Sequence, residues 1–276
     1  MITSSIASLA IIAVASYSKP MYESLAPYII LGSILILGIP HGALDLHVHH
    51  QLSILKSPSN ASNILTGLLN YLLIMFGWSL GCVLFPEFTF WMFMAISCYH
   101  FGENDLSYIF KSHPSFAFKD ILYISRGIFI VGITMTMQPQ ISYPIITKLC
   151  YTDHRIFFTA SRSAFPVIVA QHFIILAISM ISVGINRPNT LRFWSAELLK
   201  SALHVAVFVT CGSLMGFSIY FGFWHSLQSI VESINFFKEQ KSIDWIRHGS
   251  MNSLTSDLAL FYKLAAPYTL GGNTWY

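Results

Sequence analysis

The sequence predicts an all-α fold, a polytopic transmembrane helical bundle with seven or eight spans. The composition supports this fold class, because hydrophobic residues make up 54% of the 276 residues and charged residues only 10%. Soluble domains contain roughly 25% charged residues, and mean hydropathy here is +0.61. Several long runs also lack Asp, Glu, Lys and Arg, and each reaches the roughly 20 residues that a helix needs to cross a bilayer.

Uncharged runs define the predicted spans along the chain. The main runs are residues 24–44, 57–86, 127–147, 163–186 and 201–231. Two shorter or weaker segments are 88–102 and 121–138, and the ends 3–17 and 251–270 are further candidates. No Lys or Arg precedes the first segment, so we expect an uncleaved helix there rather than a signal peptide. Short loops predict one integral-membrane domain over residues 1–276.

The net charge and the cysteine spacing limit which partners and which kinds of site are expected. The net charge is only +3 and no basic cluster is present, so nucleic-acid binding is not expected. The four cysteines have no CxxC spacing, which indicates helix packing rather than a metal site. The expected partner is the lipid bilayer, with the chain as a multi-pass protein of the cell (plasma) membrane.

Three of the eleven histidines stand near the ends of predicted spans. They are His41 in Pro-His-Gly-Ala-Leu-Asp, His100 in Tyr-His-Phe-Gly-Glu and His225 in Phe-Trp-His-Ser. Ionisable side chains inside a bilayer are costly and are therefore candidates for function. Two other histidines, His172 and His204, also lie within runs but have no motif around them and stay unassigned.

Each histidine of the three motifs has an acid at a spacing that places both on one helical face. The pairs are His41 with Asp45, His100 with Glu103 and His225 with Glu232. Imidazole that binds a metal commonly donates its second N–H to a carboxylate, and iron, zinc and copper all accept imidazole. The pattern predicts a metal site; the alternative is three structural histidines at the membrane interface.

A distance argument separates two of the histidines if the run 201–231 is one straight helix. Twenty-one residues separate His204 from His225, which corresponds to about 31 Å at ~1.5 Å per residue. On that assumption the two side chains cannot bind the same ion.

The three motifs resemble those of the Brp/Blh family, the bacterial and archaeal membrane β-carotene 15,15′-dioxygenases, in order, spacing and hydrophobic surroundings from about residue 30 to 235. This resemblance implies that His41, His100 and His225 bind a non-haem Fe(II), with no further catalytic residues. The family often places a fourth histidine where Ser229 stands here. We therefore expect water at the fourth position, with Glu232 or another histidine as the alternative. Ser229 and Glu232 are expected either to hydrogen-bond to the ligands or to supply an extra ligand.

The resemblance also implies the reaction. β-Carotene would enter from the bilayer, O2 would be the co-substrate, and cleavage of the central 15,15′ double bond would give retinal for a microbial rhodopsin. Asp45 and Glu103 are expected to hydrogen-bond to the iron ligands rather than to coordinate the metal.

Two other classes of protein are compatible with the sequence. A membrane di-iron oxygenase, such as a desaturase or hydroxylase, would draw further ligands from three more histidines and three acids: His47, His49, His50, Asp45, Glu103 and Glu232. A non-catalytic membrane protein, such as a transporter or a rhodopsin-associated factor, would bind no metal.

Overall fold

The structure is a computed structural model, and it describes residues 9–13, 16, 18–40, 42, 64–110, 118–153, 155–183, 190–240, 259, 261–263 and 265. Within these ranges every regular element is a helix, which confirms the all-α class. The α-helices are α1 Lys19–Gly32, α2 Ile64–Leu84, α3 Pro86–Phe110, α4 Lys119–Thr136, α5 Pro139–Cys150, α6 Arg155–Val183, α7 Thr190–Cys211, α8 Ser213–Ile219 and α9 Leu227–Gln240. The described ranges also contain two π-helices: the first is Ser33–Gly38 and the second is Tyr220–Ser226.

One helical segment of the described chain, Ser163–Ser182 in α6, is long and apolar enough to cross a membrane. A second qualifies if α4 and α5, which meet at a bend of 100°, form one broken span. Two further apolar helices, Ser24–Gly38 and Leu72–Leu84, are shorter over their described residues. Seven or eight spans therefore stay a prediction.

The chain divides into two compact units. The first contains Met1–Ile30 and Ser79–Tyr220, and the second contains Leu31–Trp78 and Phe221–Tyr276. In the first unit, the side chains of α3, α4, α6 and α7 form a buried apolar core. Its members are Leu106, Ile109, Phe110, Leu122, Tyr123, Leu176 and Trp194. The prediction of one domain is not tested by this division.

Two glycines allow α3 and α4 to approach each other closely. A Cβ atom on Gly102 would collide with the backbone carbonyl of Tyr123, and one on Gly127 would collide with that of Cys98. Small residues permit such backbone contact between apolar helices. Gly102 belongs to the second histidine motif, so this glycine of the motif serves helix packing.

The predicted run 201–231 is interrupted at Gly212, between α7 and α8. Gly212 has φ +81° and ψ 177°, a backbone region that essentially only glycine occupies. The run is therefore not one straight helix, and the distance argument between His204 and His225 does not hold. Apolar composition did not predict the interruption because it continues unchanged through the glycine.

The interruption at Gly212 is stabilised by the bend between α4 and α5. The backbone N–H of Ser213 donates to Oε1 of Gln138 at 2.9 Å, and the backbone N–H of Gln138 donates to Oγ of Ser213 at 3.0 Å. The side chain of Gln138 thus caps the start of α8, and the side chain of Ser213 caps the start of α5. These two hydrogen bonds hold the break between α7 and α8 against the bend between α4 and α5.

Replacing Gly212 with alanine is expected to lower the free energy of unfolding by about 1–3 kcal/mol, the usual cost of such a strained backbone. The added Cβ would also displace the Gln138 amide, which lies 2.5–2.9 Å from its position. Thermal unfolding of the purified protein measures the loss. Gly77→Ala in α2 is the control, because no atom lies within 4 Å of its Cβ position. Equal stability of the two variants would contradict the expectation.

Candidate functional site

The first two histidine motifs are described to different extents. His41 and Asp45 lie outside the described residues. His100 and Glu103 lie on α3, and both side chains are exposed, as expected for residues that share a helical face. Their predicted roles therefore stay predictions.

The third motif lies in the second π-helix. The side chain of His225 is 1% exposed. Ser229 and Glu232 follow on α9, where both side chains are half-buried. A π-helical turn is rare and often marks a functional site, so the setting of His225 agrees with a functional role.

Within the second unit, the two π-helices pack against each other. The position of a Cβ on Gly38 lies 3.0 Å from Cζ of Phe221, and that on Gly222 lies 2.8 Å from Cβ of Ser33. The ring of Phe221 in turn stacks on the imidazole of His225, with centroids 5.7 Å apart and an interplanar angle of 20°. The chain leading into the first motif therefore contacts the segment that carries the third.

The described residues do not by themselves complete a metal site. Among them, no group of three His, Cys, Asp or Glu side chains lies close enough together to hold an ion. The donor chemistry of the motifs nevertheless fits iron, because imidazole suits it and His225 is shielded from solvent beside an aromatic ring.

A buried ion pair forms the centre of a polar network in the first unit. Nε of Arg126 on α4 donates to Oδ2 of Asp105 on α3 at 2.9 Å, and the two side chains are 1% and 5% exposed. The hydroxyl of Tyr220 donates to Oδ1 of the same carboxylate at 3.2 Å. Both oxygens of Asp105 are thus hydrogen-bonded.

The remaining nitrogens of Arg126 face α6 and α7. Nη1 donates to Oγ of Ser201 at 2.8 Å and lies 3.5 Å from Nε2 of His172. Nη2 lies 3.3 Å from Nδ1 of His204. Because a guanidinium has only donors, both imidazole nitrogens must be acceptors in these contacts.

The ring of His172 is held from several sides. Oγ of Ser201, which accepts from Nη1 of Arg126, lies 3.0 Å from Nε2 of His172. Nδ1 of the same ring faces Oγ of Ser125 at 3.4 Å. The ring stacks on Phe129 with centroids 4.3 Å apart.

A second buried ion pair lies near the first. Lys200 pairs with Glu197 on α7, and the hydroxyl of Tyr108 donates to the same carboxylate. Nζ of Lys200 also lies 4.7 Å from the centroid of the Tyr108 ring. Buried charges are costly unless they are paired, and these two pairs balance two positive against two negative charges.

The network fixes α3, α4, α6, α7 and Tyr220 in one arrangement within the first unit. Asp105 lies five residues after His100, and Tyr220 lies five residues before His225 in the sequence. None of the residues in this network belongs to the predicted metal site. Sequence reasoning left His172 and His204 unassigned, although Arg126 inside an apolar segment was a sign that a buried acid must accompany it.

Comparison with known proteins identifies relatives of the chain. A family model described as "Beta-carotene 15,15'-dioxygenase" matches residues 32–275. The curated protein "Probable beta-carotene 15,15'-dioxygenase Blh" of Halobacterium salinarum is 22% identical over an alignment of 271 residues. The match covers 90% of this chain and 73% of that protein. No solved structure matches the chain.

Proposed function

The chain belongs to the β-carotene 15,15′-dioxygenase family, and on this premise we propose that it cleaves β-carotene at the central 15,15′ double bond to give retinal. One observation carries the proposal: the family match over residues 32–275 includes all three histidine motifs. The distant curated relative bears the name of the same activity.

In this proposal His41, His100 and His225 bind one Fe(II), and water occupies a further position. Bound iron would supply the chemistry of O2, the co-substrate. The protein residues hold the metal and position the polyene, and no other side chain acts on the reacting atoms. Burial of His225 beside Phe221 supports its part, because an imidazole shielded from water keeps a fixed orientation.

Asp45 and Glu103 are proposed to hydrogen-bond to the ligands His41 and His100. The exposure of both His100 and Glu103 on α3 supports their shared face. Such a carboxylate fixes the imidazole tautomer, and its loss typically costs about 10–100-fold in metal affinity or activity. These two acids are therefore expected to tune the site rather than to form it.

We propose that the substrate reaches the protein from the lipid bilayer, with the chain as a multi-pass protein of the plasma membrane. Many large apolar side chains support this location because they are exposed on the described helices. On α2 they include Leu69, Leu72, Leu73, Ile74, Met75, Phe76, Leu80, Val83 and Leu84. Exposed apolar surface of this extent is typical of contact with a membrane or a partner. Retinal would then pass to a microbial rhodopsin.

Expression in a cell that makes β-carotene tests the proposal. Loss of yellow pigment and the appearance of retinal in a solvent extract are expected, whereas cells with the empty vector keep the pigment. Iron content distinguishes the two kinds of site, since a mononuclear site predicts one iron per chain and a di-iron oxygenase predicts two. Unchanged β-carotene beside normally produced protein that binds no metal would favour a non-catalytic membrane protein.

Ser229→His is expected to be tolerated and to tighten iron binding. Ser229 lies four residues after His225, a spacing that places both on one helical face. A hydroxyl is a poor ligand for Fe(II) beside imidazole, so the new imidazole would replace water. Competition with a chelator of known affinity measures the change in Kd. A weaker Fe(II) complex in this variant would show that position 229 does not face the metal.

A further inference from the structure

The two π-helices of the described chain lie against each other, and each is adjacent to a histidine motif. The first, Ser33–Gly38, ends three residues before His41, and the second, Tyr220–Ser226, contains His225. π-Helical residues are fewer than roughly 1% of residues in soluble proteins. Two that pack together beside two predicted ligands therefore require a physical explanation.

The contact depends on two glycines without side chains. The ring of Phe221 occupies the space where a residue other than glycine at position 38 would carry its Cβ. Reciprocally, the Cβ position on Gly222 lies 2.8 Å from Cβ of Ser33 and 3.4 Å from Cδ1 of Leu37. Any side chain at either glycine would force the two helices apart or displace Phe221.

The ring of Phe221 links the contact between the two π-helices to the imidazole of His225. One side of the phenylalanine is limited by Gly38, and its ring is stacked on the imidazole at an interplanar angle of 20°. His225 is 1% exposed, so its ring cannot turn into solvent. The orientation of the imidazole thus depends on the separation of the two π-helices.

A tyrosine from the C-terminal part of the second unit supports the first π-helix. The hydroxyl of Tyr262 donates to the backbone carbonyl of Ile36 at 2.8 Å. A π-helix departs from the regular i→i−4 pattern, and a side-chain donor to one of its carbonyls helps to stabilise that departure. The irregular backbone is therefore held by a specific contact.

We propose that Gly38 and Phe221 are positioning residues, which hold the imidazole of His225 in the orientation in which it binds iron. This inference rests on the proposed function, since it requires His225 to be an iron ligand. Metal sites need their ligands within roughly 0.5 Å and 10–20° of the correct geometry. Because the imidazole of His225 stacks on the ring of Phe221, a displaced ring is expected to turn or shift the imidazole away from that geometry.

Gly38→Ala tests the proposal in the purified full-length protein. We expect Kd for Fe(II), measured by competition with a chelator, to rise about tenfold or more, as when an imidazole ligand loses its supporting group. The visible spectrum of Co(II) bound in place of iron is expected to change as well, because it reports ligand geometry. Gly32→Ala is the matched control at the end of α1, because no atom lies within 4 Å of its Cβ position.

A double-mutant cycle separates positioning from general loss of stability. Phe221→Leu removes the stacked ring and is expected to weaken Fe(II) binding by itself. Gly38→Ala combined with Phe221→Leu is expected to bind Fe(II) no more weakly than Phe221→Leu alone, because the smaller side chain leaves room for the methyl group. Additive losses, or an unchanged Kd in Phe221→Leu, would overturn the proposal. The Phe221→Leu measurement decides the matter if Gly38→Ala does not fold.

Two failures are distinguishable in this experiment. Natural protein that binds no Fe(II) would overturn both the proposed function and the positioning role. Natural protein that binds one Fe(II) per chain, with Gly38→Ala and Gly32→Ala of equal affinity and identical Co(II) spectra, would overturn the positioning role alone.

Discussion

Replacing His225 with alanine is expected to abolish carotenoid cleavage and to leave the purified protein without stoichiometric iron. A direct ligand would be lost, so the effect should exceed the ~10–100-fold that follows the loss of a ligand's hydrogen-bond partner. His225 is buried, and the vacated space would also release the ring of Phe221. Retinal formed in β-carotene-producing cells and iron per chain after purification are the two measurements.

The same result is expected for His41→Ala and His100→Ala. Ser182→Ala is the control, since it removes an exposed hydroxyl on α6, outside the proposed site. Each variant must be present in the membrane fraction at the natural level, so that lost activity is not lost protein. Full activity in any one of the three histidine variants would remove that residue from the site.

The sequence can predict which residues of a histidine motif share a helical face, because that relation depends only on local spacing. An acid three or four residues from a histidine shares its face on any helix, whatever the tertiary structure. His100 and Glu103 illustrate this, since both lie on α3 and both are exposed. Spacing alone did not reveal that Gly102, between them, is needed for the contact of α3 with α4.

The all-α class was also predictable, because composition and uncharged runs are properties of whole segments. The interruption at Gly212 was not, because it depends on a single residue with a positive φ inside an apolar run. The partner of that interruption, Gln138, is distant in sequence and meets Ser213 only through tertiary packing. Hydropathy therefore located apolar runs but not the helix boundaries within them.

The buried network escaped prediction for the same reason. Asp105 and Arg126 come from different helices, and Tyr220 lies 115 residues after Asp105. No periodicity within one helix links such residues. The sequence does contain one sign of this network, because an arginine in a segment expected to be apolar, Arg126, implies a buried acid. In the structure that acid is Asp105.

Replacing Arg126 with methionine is expected to lower the free energy of unfolding by about 3–5 kcal/mol, the usual cost of removing one partner of a buried ion pair. The carboxylate of Asp105 would stay buried without its counter-charge. Ser201, His172 and His204 would lose the donors that Arg126 now provides. The midpoint of denaturant unfolding of the purified protein measures the loss.

A double replacement identifies the cause of this destabilisation. In Arg126→Met combined with Asp105→Asn, no uncompensated charge is buried, and an amide oxygen can still accept from the hydroxyl of Tyr220. Much of the lost stability is therefore expected to return, because neutral replacements of a buried ion pair are often tolerated. Lys148→Met on the exposed face of α5 is the control for loss of a positive charge, and such surface changes usually stay within ~0.5 kcal/mol. If the double variant is less stable than Arg126→Met alone, the stability of the network comes from hydrogen bonds to the Asp105 carboxylate and not from its pairing with Arg126.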